Sequence, residues 1–199
     1  MNARGTLSSA MRELGPVRSD SNPLLREPVP PMASVGLLVV FPFLVAYAAA
    51  NDLLTMLIPN RVSLLLIAGF AAVAASGILT LPEIGTHVAA GAIVLVATFA
   101  LFALGVIGGG DAKLAAATAL WLGLDHLMDY LLIAAVAGGA LTLALLAARS
   151  HPLPRPLVGL PFALHLHDTR TGVPYGIALC AAALLVLPET LIWARALGA

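Results

Sequence analysis

The sequence predicts an all-α fold, a polytopic membrane helix bundle of about six transmembrane helices. Three observations predict it. Hydrophobic residues make up 60% of the 199 residues and charged residues only 10%, the mean hydropathy is +1.00, and the apolar residues fall into six runs separated by Pro or Gly. A soluble domain carries about a quarter charged residues. The composition therefore excludes a soluble globular domain.

The chain divides into a polar segment and a membrane domain. Residues 1–33 hold scattered Pro, Ser and Arg without an apolar core, so we predict a mobile N-terminal tail. One hypothesis is that translation begins at Met11 or Met32. Residues 34–199 form the predicted membrane domain. Ten Lys+Arg balance ten Asp+Glu, so no basic excess indicates nucleic acid, and the lone Cys180 excludes a Cys-x-x-Cys site.

Six apolar stretches meet or nearly meet the length of about 20 residues that a bilayer-spanning helix needs. They are 35–57, 62–80, 86–107, 111–124, 128–148 and 173–193. The first three end at residues that break helices, which are Pro59-Asn60, Leu81-Pro82-Glu83 and Gly108-Gly109-Gly110. The fourth is the shortest, and at about 1.5 Å per residue it does not reach across about 30 Å of hydrocarbon. It is predicted as a short helix that is tilted or extends through Asp125.

Two carboxylates are predicted to lie on the same membrane face. Asp52 stands near the end of the first stretch and Asp111 at the start of the fourth, so two full crossings separate them. Asp125 and Asp129 follow the fourth stretch, which puts them on the opposite face. The first pair is therefore able to meet, and the second pair is excluded from that site.

The distribution of basic residues predicts the orientation. The two short connections on the opposite face, 81–85 and 125–127, carry no Lys or Arg. The segments on the Asp52 face carry five, namely Arg61, Lys113, Arg149, Arg155 and Arg170. The positive-inside rule makes the Asp52 face cytoplasmic. Four arginines in the tail argue against this orientation, unless translation begins at Met32.

The two aspartates fit an aspartic protease. An Asp within an apolar helix costs about 2.5–3.5 kcal/mol on insertion scales, so it indicates a polar partner or a function. Asp111 follows three glycines and stands in the first turn of a helix, where the helix dipole favours the ionised form. A carboxylate pair that shares one proton can activate water and protonate a scissile carbonyl without a metal or cofactor. The alternative is that Asp111 caps its helix and Asp52 bonds a neighbouring helix.

Two short motifs accompany these aspartates. Gly108-Gly109-Gly110-Asp111 is followed by Ala112-Lys113, and Ile58-Pro59-Asn60 begins six residues after Asp52. This combination resembles the type IV prepilin peptidases, a family of intramembrane G-x-G-D aspartic proteases. The resemblance covers roughly 35–193 and includes the Gly172 to Gly176 opening of the last stretch. It implies that Asp52 and Asp111 are catalytic, with motif support from Pro59, Asn60, Gly108, Gly110 and Lys113.

One departure from the family pattern bears on the activity. The larger members carry a cytosolic domain with two Cys-x-x-Cys pairs and also N-methylate the new terminus. Here the first connection has only a few residues and no cysteine. The chain therefore looks like the short, peptidase-only form of tight-adherence (Flp-type) pili, without N-methyltransferase activity.

The resemblance also implies the substrate and the location. The expected partners are the lipid bilayer and the short basic leader peptides of prepilins or pseudopilins, cut just before their hydrophobic helix. The expected location is the cytoplasmic (inner) membrane of a bacterium or archaeon, multi-pass, with the aspartates on the cytoplasmic side. No metal or other cofactor is expected.

Other interpretations remain open. Intramembrane carboxylates beside a glycine-broken helix also occur in ion-coupled transporters, and a non-catalytic assembly subunit of a secretion or pilus apparatus would keep the same helices. The sequence His165-Leu166-His167-Asp168 offers metal ligands, but a solvated or interfacial loop is the simpler interpretation.

Six further side chains are expected to have structural roles. Asn60 is expected to cap the next helix and Lys113 to extend to the headgroups. His87 and Glu83 are expected at the surface. Trp121 is expected to anchor the membrane interface, like Trp193.

Overall fold

The structure, a computed structural model, describes residues 31–198, with side chains from residue 39 onward except at 157. All regular structure in this range is helical, as predicted. Of the predicted tail, residues 1–30 lie outside the described range. Helix α1 begins at Pro31. The α-helices are α1 (Pro31–Thr55), α2 (Asn60–Ser76), α3 (Leu81–Ala103), α4 (Gly109–Leu122), α5 (Leu127–Arg149), α6 (Pro161–His167), α7 (Gly176–Val186) and α8 (Leu191–Ala196), with 3₁₀ turns at Arg155–Leu157 and Leu187–Glu189.

Two of these helices are long and apolar enough to cross a bilayer unaided. Helices α3 and α5 have 23 residues each, and most of each lies on the outside of the bundle. Shorter apolar helices are formed by Val39–Thr55, Asn60–Ser76 and Gly176–Glu189. The long helices expose large hydrophobic side chains, as Val96 and Leu132 do. The chain is a membrane protein with an all-helical fold, while the number of six crossings stays a prediction.

Helix α4 lies at the centre of the bundle. It packs most extensively against α3 and also contacts α2, α7 and α5. Most of its side chains are buried, and the many alanines let the neighbouring backbones approach closely. Trp121, near its end, is fully buried, donates from its indole N–H to Leu66 O at 2.8 Å and packs on Phe41. The prediction that Trp121 anchors the membrane interface is therefore wrong.

Helix α3 begins earlier than predicted. The sequence Leu81-Pro82-Glu83 was expected to break the chain, but it forms the first turn of this helix. A proline is tolerated there because the N–H that it lacks would have no partner in the helix. Thr80 and Glu83 form a capping box, in which the Thr80 amide donates to Glu83 Oε2 at 2.7 Å.

The interior of α3 also differs from prediction at His87. Its side chain is buried rather than at the surface, and its Nδ1 lies 2.9 Å from Leu120 O. The ring packs against Phe70. This hydrogen bond fastens α3 to the end of α4.

The predicted sixth crossing, 173–193, is interrupted. Helix α7 ends at Val186, a 3₁₀ turn contains Pro188, and α8 is a separate short helix. Proline lacks the N–H for a helical hydrogen bond and clashes with the preceding turn, which ends α7. Thr190 then caps α8, because its hydroxyl accepts from the Trp193 amide at 3.3 Å.

The connection 149–172 is partly folded. Predicted as a loop, it contains α6 and is held against α5 by one side chain. Arg149 Nε donates to Leu166 O at 2.8 Å, and a terminal Arg149 nitrogen donates to Gly172 O at 3.0 Å. These two hydrogen bonds fix the position of the chain just before α7.

Candidate active site

Asp52 lies in the last turn of α1, and its side chain is buried. The neighbouring polar side chains do not hold it. Asn51 Nδ2 donates to Tyr47 O at 2.9 Å, and the Thr55 hydroxyl donates to Asn51 O at 2.8 Å. Both groups satisfy the backbone of α1 itself, so the carboxylate depends on another helix for its partner.

That partner is the first residue of α7. The Gly176 amide donates to Asp52 Oδ2 at 2.7 Å. A Cβ atom at residue 176 would lie 2.9 Å from the same oxygen, closer than side-chain carbons pack. Glycine is needed here because the backbone itself approaches the carboxylate. The start of α7 thus fixes the position of Asp52.

Asp111 is the third residue of α4. Its Oδ1 is buried and has no hydrogen-bond partner. Its carboxylate lies against the N-cap residue, since a Cβ at Gly108 would be 2.9 Å from Oδ2. Asp111 is close enough to Asp52 for the two carboxylates to interact electrostatically. The structure therefore places two acids at one end of the bundle, and one of them has a buried oxygen without a partner.

The two sequence motifs that accompany the aspartates contact each other. A Cβ at Gly110 would lie 3.1 Å from Ile58 Cβ, so the start of α4 packs directly on the connection between α1 and α2. Lys113 Nζ donates to Asn60 Oδ1 at 3.0 Å. These contacts join the start of α4, which carries Asp111, to the start of α2 and to the short connection that follows the Asp52 turn of α1.

The hydrogen bond between Lys113 and Asn60 corrects two predictions. The N-cap of α2 is Pro59, in extended conformation, and Asn60 is the first helical residue. The Asn60 side chain accepts from Lys113 rather than capping the helix. The lysine, expected to extend to the headgroups, is instead bonded to the second motif.

Two tyrosines stand near Asp111. Tyr175 donates from its hydroxyl to Ala134 O at 3.2 Å, and its ring occupies the space that a side chain at Gly138 would fill. The fully buried Tyr130 has its hydroxyl beside that of Thr118. Both tyrosines lie within electrostatic reach of Asp111.

Sequence reasoning gave no role to these tyrosines or to Gly176. The available signal was the glycine-rich opening of the last stretch, Gly172 to Gly176, which contains two of the three residues. Tyr130 gave no signal, because a tyrosine in an apolar helix is ordinarily a core residue.

The other acidic residues lie away from this site. Asp129 and Glu189 approach His126 beyond the far end of α4, with one ligand atom from each within 4.8 Å of the others. Within residues 31–198, His165, His167 and Asp168 do not form such a cluster. Asp168 instead accepts from the Arg170 amide at 2.9 Å.

The fold and the site define a class, namely helical membrane proteins with a pair of aspartates at one end of the bundle. The model of the type IV leader peptidase family matches residues 39–143, which is more than half of the chain and includes both aspartates and both motifs. The chain belongs to the type IV leader peptidase family and is a leader-peptidase-like protease. No curated protein and no solved structure matches it.

Proposed function

We propose that Asp52 and Asp111 are the catalytic dyad of an intramembrane aspartic endopeptidase. The observation that carries the proposal is the pairing of the two carboxylates: Asp52 is bonded by a backbone amide, and Asp111 keeps a buried oxygen without a partner. A bond from an amide stabilises a carboxylate in its ionised form, and each acid has one, Asp52 from Gly176 and Asp111 from Gly108. We assign the shared proton to Asp111 and the charge to Asp52, because the second oxygen of Asp111 is buried with no partner that would stabilise a negative charge.

The reaction follows from this assignment. Asp52 removes a proton from water, the water oxygen bonds to the scissile carbonyl carbon, and Asp111 donates its proton to the carbonyl oxygen. When the carbonyl re-forms, the C–N bond breaks, Asp111 regains its proton, and the proton on Asp52 passes to the leaving nitrogen. Both residues return to their initial states, and no metal or cofactor takes part.

The proposed substrates are prepilins or pseudopilins, cut after their short leader on the cytoplasmic face of a bacterial or archaeal membrane. Family membership supports this class of substrate. The position of the site also fits, because both acids stand at helix ends, where a polar leader meets an apolar helix.

We further propose that the protein does not methylate the new terminus. The chain contains one cysteine, so the two Cys-x-x-Cys pairs of the bifunctional form are absent from its sequence. The segment between α1 and α2 is four residues, 56–59, too short for an inserted domain. Mass spectrometry of the processed pilin tests this, and an unmodified N-terminal amine is expected.

The test of the dyad is co-expression with a candidate Flp-type prepilin, with leader removal scored on a gel. Asp52→Asn and Asp111→Asn each keep the shape of the side chain and remove its acid–base chemistry. We expect each to lower the rate of processing by about 10²- to 10⁴-fold. Asp129→Asn is the matched control and should process normally. Asp129 lies in the first turn of α5, beyond the far end of α4.

Folding is checked by the elution of each variant in detergent. A folded Asp52→Asn or Asp111→Asn variant that cleaves at the wild-type rate would contradict the dyad. An assembly subunit or a transporter would show no processing in the wild type with any prepilin.

A further inference from the structure

An open groove runs along the outside of the bundle between α2 and α3. Its cavity volume is about 480 Å³. Helix α4 forms its floor with small side chains, Ala116 and Ala117. Its walls are apolar side chains that are otherwise exposed, namely Leu64 and Ile67 from α2 and Val88 and Leu95 from α3. The groove therefore presents a narrow apolar channel to the surrounding bilayer.

One end of this groove is polar. Asn60 and Lys113 line it there, and Lys113 is the only charged residue in the lining. An ammonium group has three donors, and a single one is used, by Asn60 Oδ1 at 3.0 Å. No carboxylate in the described range forms an ion pair with this lysine. The positive charge has only a neutral partner, and it stands at the mouth of an apolar channel.

The shape and charge of the groove favour one kind of occupant. The groove is open to the outside, and a helix about 10 Å across would enter it only with its side chains. A single extended hydrocarbon chain is thin enough to lie along the alanine floor. The charge of Lys113 at the mouth favours an anionic group at one end of that chain. An acyl chain attached to a phosphate has both properties.

We propose that this groove is a binding site for an anionic phospholipid. One acyl chain lies along Ala116 and Ala117 between α2 and α3, and the headgroup phosphate accepts hydrogen bonds from Lys113. Basic pockets between membrane helices bind anionic headgroups in this manner. Because Lys113 also bonds Asn60, the lipid would contact the same hydrogen bond that joins the starts of α2 and α4.

The experiment is native mass spectrometry of the full-length protein in detergent with dioleoyl phosphatidylglycerol or dioleoyl phosphatidylcholine. These lipids have the same chains and differ in headgroup charge. The wild type should retain phosphatidylglycerol about fivefold better, as expected for one lysine near a lipid phosphate. Lys113→Gln should remove this preference. Ala92→Trp, on the α3 wall, should fill the groove and abolish retention of both lipids.

Ala97→Trp is the matched control, because it makes the same substitution on an exposed residue of α3 outside the groove lining. It should bind both lipids as the wild type does. Equal retention of the two lipids by the wild type, or full retention by a folded Ala92→Trp variant, would overturn the proposal. So would displacement of the lipid by glycerol phosphate, since that would assign the affinity to the headgroup alone. Crosslinking of a prepilin helix, instead of lipid, to residue 92 would assign the groove to substrate.

Discussion

The two ends of the bundle use their polar side chains in opposite ways. At the end where α3 begins, Glu83 and Arg195 form two hydrogen bonds of 2.7 Å, and Arg195 also donates to Ile78 O at 2.9 Å. The Thr80 amide donates to the same carboxylate. The hydrogen bonds that Arg195 donates to Glu83 raise the pKa of Arg195 above its ordinary value. The polar atoms of Glu83 and Arg195 at this end are thus engaged in fixing the structure.

At the aspartate end, neither acid has a side-chain cation as partner among residues 39–198. Asp52 accepts from a backbone amide, and one oxygen of Asp111 has no partner. Their positions depend on close backbone contacts at Gly108 and Gly176. An acid that is held by the backbone keeps its capacity to exchange a proton, whereas an acid in a bidentate ion pair does not. This difference is the one expected if one end stabilises the bundle and the other carries the proposed chemistry.

Apart from the aspartates themselves, the largest effect on cleavage is expected at Gly176. Gly176→Ala keeps the amide but introduces a Cβ atom 2.9 Å from Asp52 Oδ2, so the carboxylate has to move. Misplacement of a catalytic group by about 1 Å costs about 10²-fold in rate. We expect a loss of that size in prepilin processing, measured with purified protein and substrate in detergent.

Gly85→Ala is the control for this substitution. Gly85 also lies in a helix, and a Cβ there meets nothing within 4 Å. It should cleave normally. If Gly176→Ala cleaves as fast as Gly85→Ala, the amide of Gly176 does not position Asp52.

The contrast between Asp52 and Gly176 shows how much the sequence predicts. Asp52 stands out because a charge in an apolar helix is costly, and that cost is visible in one short segment. The bond to Gly176 joins residues 124 apart in the chain. It depends on how α7 packs against α1, which no local pattern encodes. The all-α fold was predicted from apolar runs, which are likewise visible in short segments. The partner of Asp52 was missed because it depends on tertiary packing.

The helix boundaries follow the same distinction. Pro188 ends α7 through a local steric effect, yet the apolar run around it suggested one continuous helix. At Pro82 the opposite difference is found. A break was expected there, but the capping box of Thr80 and Glu83 begins a helix. Hydrophobicity alone gave the number of apolar segments, whereas capping side chains fix where α3 and α8 begin.

A smaller effect on cleavage is expected at the contact between the two motifs. Asn60→Ala removes the acceptor of the Lys113 hydrogen bond that joins the starts of α2 and α4. A hydrogen bond of this exposed kind changes an equilibrium by about two- to tenfold, so we expect a similar fall in the rate of processing. Lys113→Met should produce the same fall, and the double variant should be no worse than either single one. Additive losses in the double variant would show that the two side chains act independently.

The smallest effect on cleavage is expected at the opposite end. Arg195→Gln removes the ion pair with Glu83, which is partly exposed, so we expect it to lower the free energy of unfolding by about 1 kcal/mol. Thermal denaturation in detergent measures this, and Arg195→Lys should lose less because it keeps the charge. Activity per folded molecule should equal that of the wild type, because none of these groups contacts the aspartates. A folded Arg195→Gln variant with a tenfold lower rate would show that the two ends are coupled through α4, and the division between structural and chemical ends would then be wrong.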